Sequence, residues 1–402
     1  MIPRRRIPFE LSTLIEVLRE LFRAARFENS VTNFELAFAT YLNSKHAHAT
    51  ASGRDALGLI LDGLGLKPGD EIVIPAYTLG ELLPLLQGRG LVLKPADIEL
   101  DSFNMSVESI REQITKKTAA VLIVHLHGAP CDISAIMAVA REYGIKVVED
   151  CAHALGAEVE GKKVGTFGDA ALFSLEVNKP VCAFGGGVVT TNDDGLSTFI
   201  DKQLAKRCKK KIPAIKKILI KYAEELFVRS PFYGPVARVL FSEKNARKFE
   251  KAYRGANTRV RKSAIAFSPL QARLALRSLQ KIDVRNARLN RLWGEIGDEL
   301  PSTMVLQNRS AVGIPAFYNM VVRCTHPAGE IREQVMSRGV DLGLGSEIMD
   351  NTASMLGVDS CVNVNAVASS ALLLPVYDGL TERRKRRLIA ILTQVSESRS
   401  DG

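Results

Sequence analysis

The first half of the chain alternates short apolar runs with segments whose apolar residues recur every three or four positions. The apolar runs cover residues 70–75, 119–125 and 146–150, and helical patterns such as that of residues 134–143 separate them. Strands that are almost continuously apolar are buried on both faces, which requires helices above and below the sheet. The sequence therefore predicts an α/β fold, with a mainly parallel sheet and helices on both faces.

The same spacing rules predict the rest of the fold. Helices are expected over residues 10–28, 34–42, from 52 onwards, 269–300 and 381–395, and strands over residues 46–50, 170–174, 187–191 and within 305–322. These elements divide the chain into a large domain, residues 1–201, a basic amphipathic helical insertion, residues 202–262, and a smaller C-terminal α+β domain, residues 263–402.

Composition excludes several classes of protein. The apolar share of 46% and the charged share of 24% are ordinary for a soluble globular protein. The six cysteines form no Cys-x-x-Cys pair, which argues against a disulfide framework and a zinc site, so no metal is expected. The sequence shows neither a signal-peptide core nor an apolar stretch of about 20 residues. The expected location is cytoplasmic, with contact at the inner face of the membrane as an open possibility.

Positive charge is concentrated in the insertion. Residues 202–262 contain 19 Lys and Arg against 4 Asp and Glu, a net +15, so the remainder of this +10 chain carries −5. Apolar residues recur there at helical spacing between the lysines. Two interpretations stay open: a surface helical hairpin packed on the body, or a basic amphipathic element on an anionic membrane face. Nucleic-acid binding is not expected, because no known binding motif accompanies the charge.

Two residues carry the clearest chemical signal. Asp150 ends an apolar run, and Lys179 follows 29 residues later, between Ser174 and the glycine run 185–187. Pyridoxal phosphate needs an acid that keeps its pyridine nitrogen protonated and a lysine that forms the Schiff base. A strand-end acid beside such a lysine loop predicts that cofactor.

Each residue also has an ordinary interpretation. Alone, Asp150 could cap a helix or turn, and Lys179 could be a solvated loop lysine. His153 could be a hydrogen-bonded core histidine. His125 and His127 fit structural or substrate-adjacent roles better than metal ligation, because no acid or cysteine spacing completes a metal site.

A series of landmarks carries a family resemblance. They are Phe34-Glu, Ser52-Gly53 with Ala56-Leu57, Gly69-Asp-Glu with Pro75-Ala-Tyr-Thr78, His125-Leu-His-Gly128, Glu149-Asp-Cys-Ala-His153, Gly165-Thr-Phe-Gly-Asp169 and Phe173-Ser174 with Lys179. In this order and spacing the chain resembles the DegT-type sugar aminotransferases, which have the fold-type I architecture of pyridoxal-phosphate enzymes. The resemblance extends from residue 7 to residue 381.

The resemblance implies roles for individual residues. Lys179 matches the Schiff-base lysine, which also moves a proton between the cofactor and the substrate. Asp150 matches the partner of the pyridine nitrogen, and His153 takes the position near the phenolic oxygen. Ser174 matches a phosphate ligand. Gly53 and Arg54 match the turn that cradles the phosphate at a helix start; Arg54 could pair with the phosphate or face solvent.

The chain departs from the family pattern close to this site. Leu79 stands where many members place the aromatic ring that stacks on the pyridine, so stacking is expected to be weaker or to come from elsewhere. Glu176 and Pro180 replace the usual histidine and asparagine around Lys179. Asn257-Thr-Arg259 has the letters of the family's inter-subunit phosphate motif at an unusual spacing.

The resemblance thus implies a homodimeric pyridoxal-phosphate aminotransferase. It would move an amino group from an amino-acid donor, typically glutamate, to a keto-sugar, expected to be nucleotide-linked. The alternative function is a membrane-docked, catalytically weakened relative that binds a lipid-linked or anionic partner. An active aminotransferase held at the membrane near glycan assembly would combine the two.

Overall fold

The computed structural model describes residues 1–7, 10–22, 29–208, 212–240 and 265–400. The α-helices in this part of the chain are Leu11–Phe22, Ser30–Leu42, Gly53–Gly63, Leu83–Gln87, Val107–Gln113, Ile133–Tyr143, Asp194–Leu204, Ile212–Arg229, Tyr233–Leu240, Pro269–Leu279, Ile282–Gly297, Ala328–Ser337, Thr352–Met355, Val362–Ser370 and Glu382–Ser400.

A seven-stranded main sheet forms the centre of the large domain. Its strands, in spatial order, are His46–Thr50, Gly187–Thr191, Ala170–Ser174, Lys146–Asp150, Thr118–Val124, Glu71–Pro75 and Val92–Ala96. The last five run parallel, and the first two pair antiparallel at one end. The predicted mainly parallel sheet is confirmed.

Alternate residues of each central strand enter two different hydrophobic cores. In the strand Thr118–Val124, Val121 and Ile123 face the core that contains Phe34 and Phe38. Ala120 and Leu122 face the other core, which contains apolar residues of the helix Gly53–Gly63. Burial of both faces explains why the sequence of these strands is almost continuously apolar.

A smaller antiparallel sheet organises the C-terminal part. Its strands, in spatial order, are Met304–Leu306, Met320–Cys324, Ala371–Leu374 and Gly343–Leu344. The helices Ala328–Ser337 and Glu382–Ser400 contribute to the same core. Ile2 is also buried there, so the first residues of the chain pack on the C-terminal unit. Two short two-stranded pairs complete the sheets, Tyr77–Thr78 with Asp350–Asn351 and Glu158–Val159 with Lys162–Lys163.

The predicted continuous helix from residue 269 to residue 300 is wrong. The structure has two helices, Pro269–Leu279 and Ile282–Gly297, with a break at Gln280 and Lys281. A capping box between Ser268 and Gln271 fixes the start of the first helix. The first helix packs into a core of the large domain, which also contains Ile282 at the start of the second helix, and Leu289 and Ile296 further along belong to the core of the C-terminal unit. The break thus lies shortly before the chain passes from one core to the other.

The insertion packs on the body where the structure describes it. Ile218 and Tyr222 of the helix Ile212–Arg229 are buried in a cluster with Phe184 and Leu270. The buried carboxylate of Glu225 accepts hydrogen bonds from Arg6 and Arg229. This packing agrees with the surface-hairpin interpretation, and the domain limits themselves stay a prediction.

The first helix turns its charged side inwards. Glu16 and Glu20 are buried and pair with Arg273 of the helix Pro269–Leu279, and Glu16 also pairs with Arg277. The leucines and isoleucine of the opposite side, Leu11, Ile15, Leu18 and Leu21, are exposed.

One glycine lets the large domain approach the C-terminal unit closely. Gly128 has φ +94°, and a β-carbon placed on it would lie 2.3 Å from the carbonyl oxygen of Ala316. The backbone amide of Ala316 donates to the carbonyl of Gly128, so the two segments are bonded at this point. Gly144 also has a positive φ, but nothing lies within 4 Å of its β-carbon position.

These two glycines give a matched pair of substitutions. We expect Gly128→Ala to lower the free energy of unfolding by more than about 3 kcal/mol, because a backbone clash adds to the cost of the left-handed conformation. Gly144→Ala should cost only about 1 kcal/mol, since it incurs the conformational cost alone. Urea unfolding followed by circular dichroism measures both, and equal losses would contradict the close approach.

Candidate active site

Asp150 ends the strand Lys146–Asp150 at the carboxyl edge of the main sheet. Its side chain is buried, and one carboxylate oxygen accepts from the amide of Ala152 at 2.9 Å. Burial raises the pKa of the Asp150 carboxyl, while the bond from Ala152 and the positive charge of Lys179 act in the opposite direction. Lys179 is therefore close enough to favour the ionised form of Asp150.

Glu149 anchors the same strand end on its other side. Its fully buried carboxylate accepts from the backbone amides of Gly165, Phe167 and Gly168 at 2.7–2.8 Å, and lies 3.2 Å from His125. These bonds tie the strand to the loop that leads into the next strand, Ala170–Ser174.

The neighbourhood of Glu149 resembles a metal site only in composition. His125, Glu149 and Cys151 offer ligand atoms that lie within 4.8 Å of one another. However, Glu149 already accepts three amides, and Nδ1 of His125 accepts from the amide of Cys131. Burial raises the pKa of Cys151 to about 12, so the thiol stays protonated and is a poor ligand. The arrangement is a hydrogen-bonded core network.

Lys179 lies in a loop that is closed on itself by backbone bonds. The amides of Ala183 and Gly185 both donate to the carbonyl of Leu175, and the Lys179 amide donates to Glu176. The half-buried Lys179 side chain places Nζ 3.4 Å from the hydroxyl oxygen of Tyr318 and 4.5 Å from the centre of its ring. The loop thus presents the lysine towards the C-terminal unit.

Tyr318 joins the predicted residues into one cluster. Its ring stacks on His153, with the ring centres 3.9 Å apart and the planes at 12°. His127 also stacks on His153, with the two ring centres 5.7 Å apart. Tyr318 was missed in the sequence analysis. It lies 139 residues from Lys179, on a segment of the C-terminal unit with no motif of its own, so no local signal indicates it.

The two histidines of this stack are neutral. Burial and the charge of Lys179 hold the pKa of His153 well below its usual range, and protonation of His127 would lower it further. Burial and the charges of Lys179 and Arg309 lower the pKa of His127 to about 3. Within the described residues, neither ring nitrogen of His127 has a hydrogen-bond partner, although the side chain is almost fully buried. Such atoms usually have a partner, so a polar group is expected to reach them.

Gly53 and Ser174 form a second group, beside the first. Asp150 lies opposite Leu172 of the neighbouring parallel strand. Ser174 is two residues further along that strand, so it lies beyond Asp150 at the same edge of the sheet. A β-carbon on Gly53 would lie 3.4 Å from that of Ser174. Gly53 begins a helix whose N-cap, Ser52, accepts from the amide of Asp55. The first amides of a helix have no partner inside it and attract anions.

The Arg54 side chain is engaged elsewhere. Its guanidinium pairs with Glu81 at 2.7 Å and is 40% exposed. The structure therefore places the Arg54 backbone at the helix start, and its guanidinium forms an ion pair with Glu81.

The departures from the family pattern have structural explanations. Leu79 packs against two hydrophobic clusters, so it fills core space, and the stacked rings near Lys179 are those of Tyr318 and His153. Glu176 pairs with Lys217 of the insertion helix at 2.7 Å. The motif at residues 257–259 lies outside the described residues.

A cavity of about 900 Å³ opens beside Lys179 and Tyr318. The N-terminal segment, the insertion helices and the C-terminal unit all line it. The charged side chains on its wall are Arg4, Arg5, Arg6, Lys179, Arg277, Lys281, Arg285 and Arg288, with Glu10, Glu224, Glu225, Glu347 and Asp378. Cations outnumber carboxylates, so the cavity suits an anionic ligand.

Several known proteins with similar sequences are named as enzymes of amino-sugar synthesis. A GDP-perosamine synthase of Caulobacter vibrioides is 29% identical over 375 residues, which are 91% of this chain and 90% of that protein. A GDP-perosamine synthase of Vibrio cholerae is 40% identical over 174 residues, 43% of this chain, and the match spans 47% of that protein, about half its length.

Solved structures share the fold over nearly their whole length. The aminotransferase from Psychrobacter cryohalolentis has a TM-score of 0.77 at 22% identity, with 98% of each chain covered. DesI, solved in the presence of its TDP-sugar product, has a TM-score of 0.76 at 22% identity, with 100% of this chain and 94% of that chain covered. The sequence profile of one family matches residues 9–393, and on that match the chain belongs to the DegT/DnrJ/EryC1/StrS aminotransferase family.

Proposed function

We propose that this protein is a pyridoxal-phosphate aminotransferase that aminates a nucleotide-linked keto-sugar. The observation that carries the proposal is the cluster at the carboxyl edge of the main sheet, where the charge of Lys179 acts on buried Asp150 and where Tyr318 links Lys179 to His153. Family membership and the names of the relatives support the same reaction class.

The residues present fit the three ends of this cofactor. Asp150 is a buried acid at a strand end, suited to a protonated pyridine nitrogen. Lys179 offers a primary amine beside it. The helix start at Gly53, with the Ser174 hydroxyl next to it, suits a phosphate. The two ring nitrogens of buried His127, which have no hydrogen-bond partner among the described residues, are available to a polar group of the cofactor or substrate.

When bound, pyridoxal phosphate supplies an electron sink for the carbon that gains or loses the amino group. The side chains of this chain supply the rest. Asp150 would keep the pyridine nitrogen protonated through its negative charge. Lys179 Nζ would hold the cofactor covalently and, once released by the incoming amine, would carry a proton to and from the reacting carbon. The Tyr318 hydroxyl, 3.4 Å from Lys179 Nζ, would orient the lysine amine.

The neutral state of His153 matters for this arrangement. A second positive charge beside Lys179 would disfavour a protonated lysine and compete for Asp150. Because burial holds the pKa of His153 well below its usual range, the ring offers a flat neutral surface and an uncharged nitrogen instead. The stacking that the residue at position 79 does not provide would thus come from His153 and Tyr318.

The substrate proposal rests on the charge of the cavity. Arg5 on its wall is exposed, Arg288 is 63% exposed although it pairs with Asp378, and the lining has a surplus of cations. Such a surface suits a diphosphate, and GDP and TDP sugars occur in the names of the relatives and of one similar structure. Glutamate, a dicarboxylate, is the proposed amino donor for the same electrostatic reason. A homodimer is proposed from the resemblance.

The weakened relative has less support as an alternative. Loss of activity would be expected to loosen or replace the lysine and its acid, yet half-buried Lys179 lies close enough to buried Asp150 and His153 for its charge to act on both. The departures at Leu79 and Glu176 each have a packing or ion-pair explanation.

The first prediction concerns Lys179. Reduction of the cofactor-loaded protein with borohydride, followed by peptide mass spectrometry, should find the cofactor mass on Lys179. Lys179→Ala should abolish this label and lower transamination at least about 10³-fold, because both covalent attachment and proton transfer are lost. The exposed Lys117→Ala is the control and should behave like the wild type. A label on another lysine, or an active Lys179→Ala protein, would refute the proposal.

The second prediction concerns Gly53. A methyl group there meets Ser174 at an ordinary contact distance of 3.4 Å, so Gly53→Ala should fold normally. The same methyl would intrude on a phosphate at the helix start, and cofactor affinity should fall at least about tenfold. Gly294→Ala, on a helix with nothing within 4 Å, is the control.

Fluorescence titration of the apoprotein measures the affinity, and thermal unfolding of the apoprotein measures the fold. Unchanged affinity in Gly53→Ala would place the phosphate elsewhere.

A further inference from the structure

The insertion helix Ile212–Arg229 has apolar residues on two opposite sides. One side is buried on the body, with Ala214, Ile218 and Tyr222. The other side is exposed and carries Leu219, Ile220, Leu226 and Phe227, which recur at helical spacing. A helix on the surface of a globular protein normally turns polar residues outwards, so this second apolar side is expected to bind another apolar surface.

The exposed surface continues beyond this helix. Phe232, Val236 and Val239 on and just before the helix Tyr233–Leu240 are also exposed. We call these residues the insertion face: Leu219, Ile220, Leu226, Phe227, Phe232, Val236 and Val239. Their side chains are between 38% and 71% exposed. Phe227 and Val236 line one cavity, so the exposed residues of the two helices lie near each other, and large exposed apolar side chains grouped in this way are typical of a binding surface.

Cations accompany the insertion face. Lys216 is exposed and precedes Leu219 and Ile220 by one helical turn on the same side. Four further cations lie on the same two helices and have partners: Lys217 pairs with Glu176, Lys221 with Glu224 and Arg229 with Glu225, and Arg238 donates to the carbonyl of Ser337. The acids of these helices are Glu224, which pairs with Lys221, and Glu225, which is buried against Arg6. The two helices therefore carry a net positive charge, with five cations against two acids, and Lys216 lies among the exposed apolar residues.

We propose that the insertion face docks on the surface of an anionic lipid bilayer. Apolar side chains between cations are the pattern of helices that lie in the plane of a membrane interface, with the apolar side among the acyl chains and the cations at the headgroups. In the described part of the chain, no helix is long and apolar enough to cross a bilayer. The two helices would lie on the membrane rather than span it.

Charge favours a bilayer over a second copy of the chain. A two-fold interface centred on the insertion face would place that face against itself and bring the two copies of Lys216 close together. An acidic bilayer neutralises the same cations. The helix Leu11–Phe22, which joins the same buried cluster through Val17, also exposes leucines and adds apolar surface beside the insertion.

Docking would bring the cavity to the membrane. Phe227 and Val236 belong to the insertion face and also line the cavity that holds Lys179. Its wall would then lie next to the headgroup layer. This inference does not depend on the proposed reaction, since the docking surface contains neither Lys179 nor Asp150.

Flotation of the full-length, cofactor-loaded protein tests the proposal. Vesicles of phosphatidylcholine are compared with vesicles of phosphatidylcholine and phosphatidylglycerol. We expect at least about tenfold more protein on the anionic vesicles, with the excess reduced by high salt. The double variant Leu219→Gln, Leu226→Gln should lose this excess. The control Leu36→Gln, Val362→Gln removes two equally exposed apolar residues from other helices and should keep it.

Equal recovery from both kinds of vesicle, or equal loss in the two double variants, would overturn the proposal. Light scattering on the same proteins identifies the rival cover: a loss of dimer in the Leu219→Gln, Leu226→Gln protein without vesicle binding by the wild type would assign the face to a second copy. Circular dichroism confirms that each variant is folded. Transaminase activity in solution is measured separately, so docking and catalysis can fail independently.

Discussion

The buried carboxylate of Glu149 fixes the geometry on which the site depends. Three backbone amides, of Gly165, Phe167 and Gly168, donate to it from the loop that precedes the strand Ala170–Ser174. The next residue, Asp150, is thereby held at a set position relative to the strand that carries Ser174 and leads to Lys179. A charged group at this depth is stable only when it is fully hydrogen-bonded, and this requirement makes the position specific. The cofactor proposal depends on that specificity.

The large domain was predictable because its signals are local. The strands around Asp150 are continuously apolar, and their burial on both faces is the reason. Asp150 and Lys179 were paired from the needs of the predicted cofactor, and in the structure the charge of Lys179 acts on Asp150, while their roles stay a prediction. The break at Gln280 was not predictable, because the helical pattern persists through it; in the structure it lies near the passage from one core to the other.

The missed parts of the site depend on contacts between distant segments. Tyr318 reaches His153 and Lys179 from the C-terminal unit, and nothing in its neighbourhood in the sequence indicates this. The side chain of Arg54 was ambiguous for a similar reason, since its partner Glu81 lies on another turn. In the insertion, charge and helical spacing were visible, but spacing alone could not tell the buried apolar side of the helix from the exposed one.

A single half-reaction tests the central claim most directly. The cofactor-loaded protein is mixed with glutamate alone, without any keto-sugar, and the visible absorbance and the released 2-oxo acid are followed together. We predict a fall in the visible band of the lysine-bound cofactor and the release of one equivalent of 2-oxoglutarate per cofactor. An added nucleotide-linked keto-sugar should restore the band. Unchanged absorbance with glutamate and with other amino-acid donors, or turnover without stoichiometric oxo acid, would contradict a transaminase at Asp150 and Lys179.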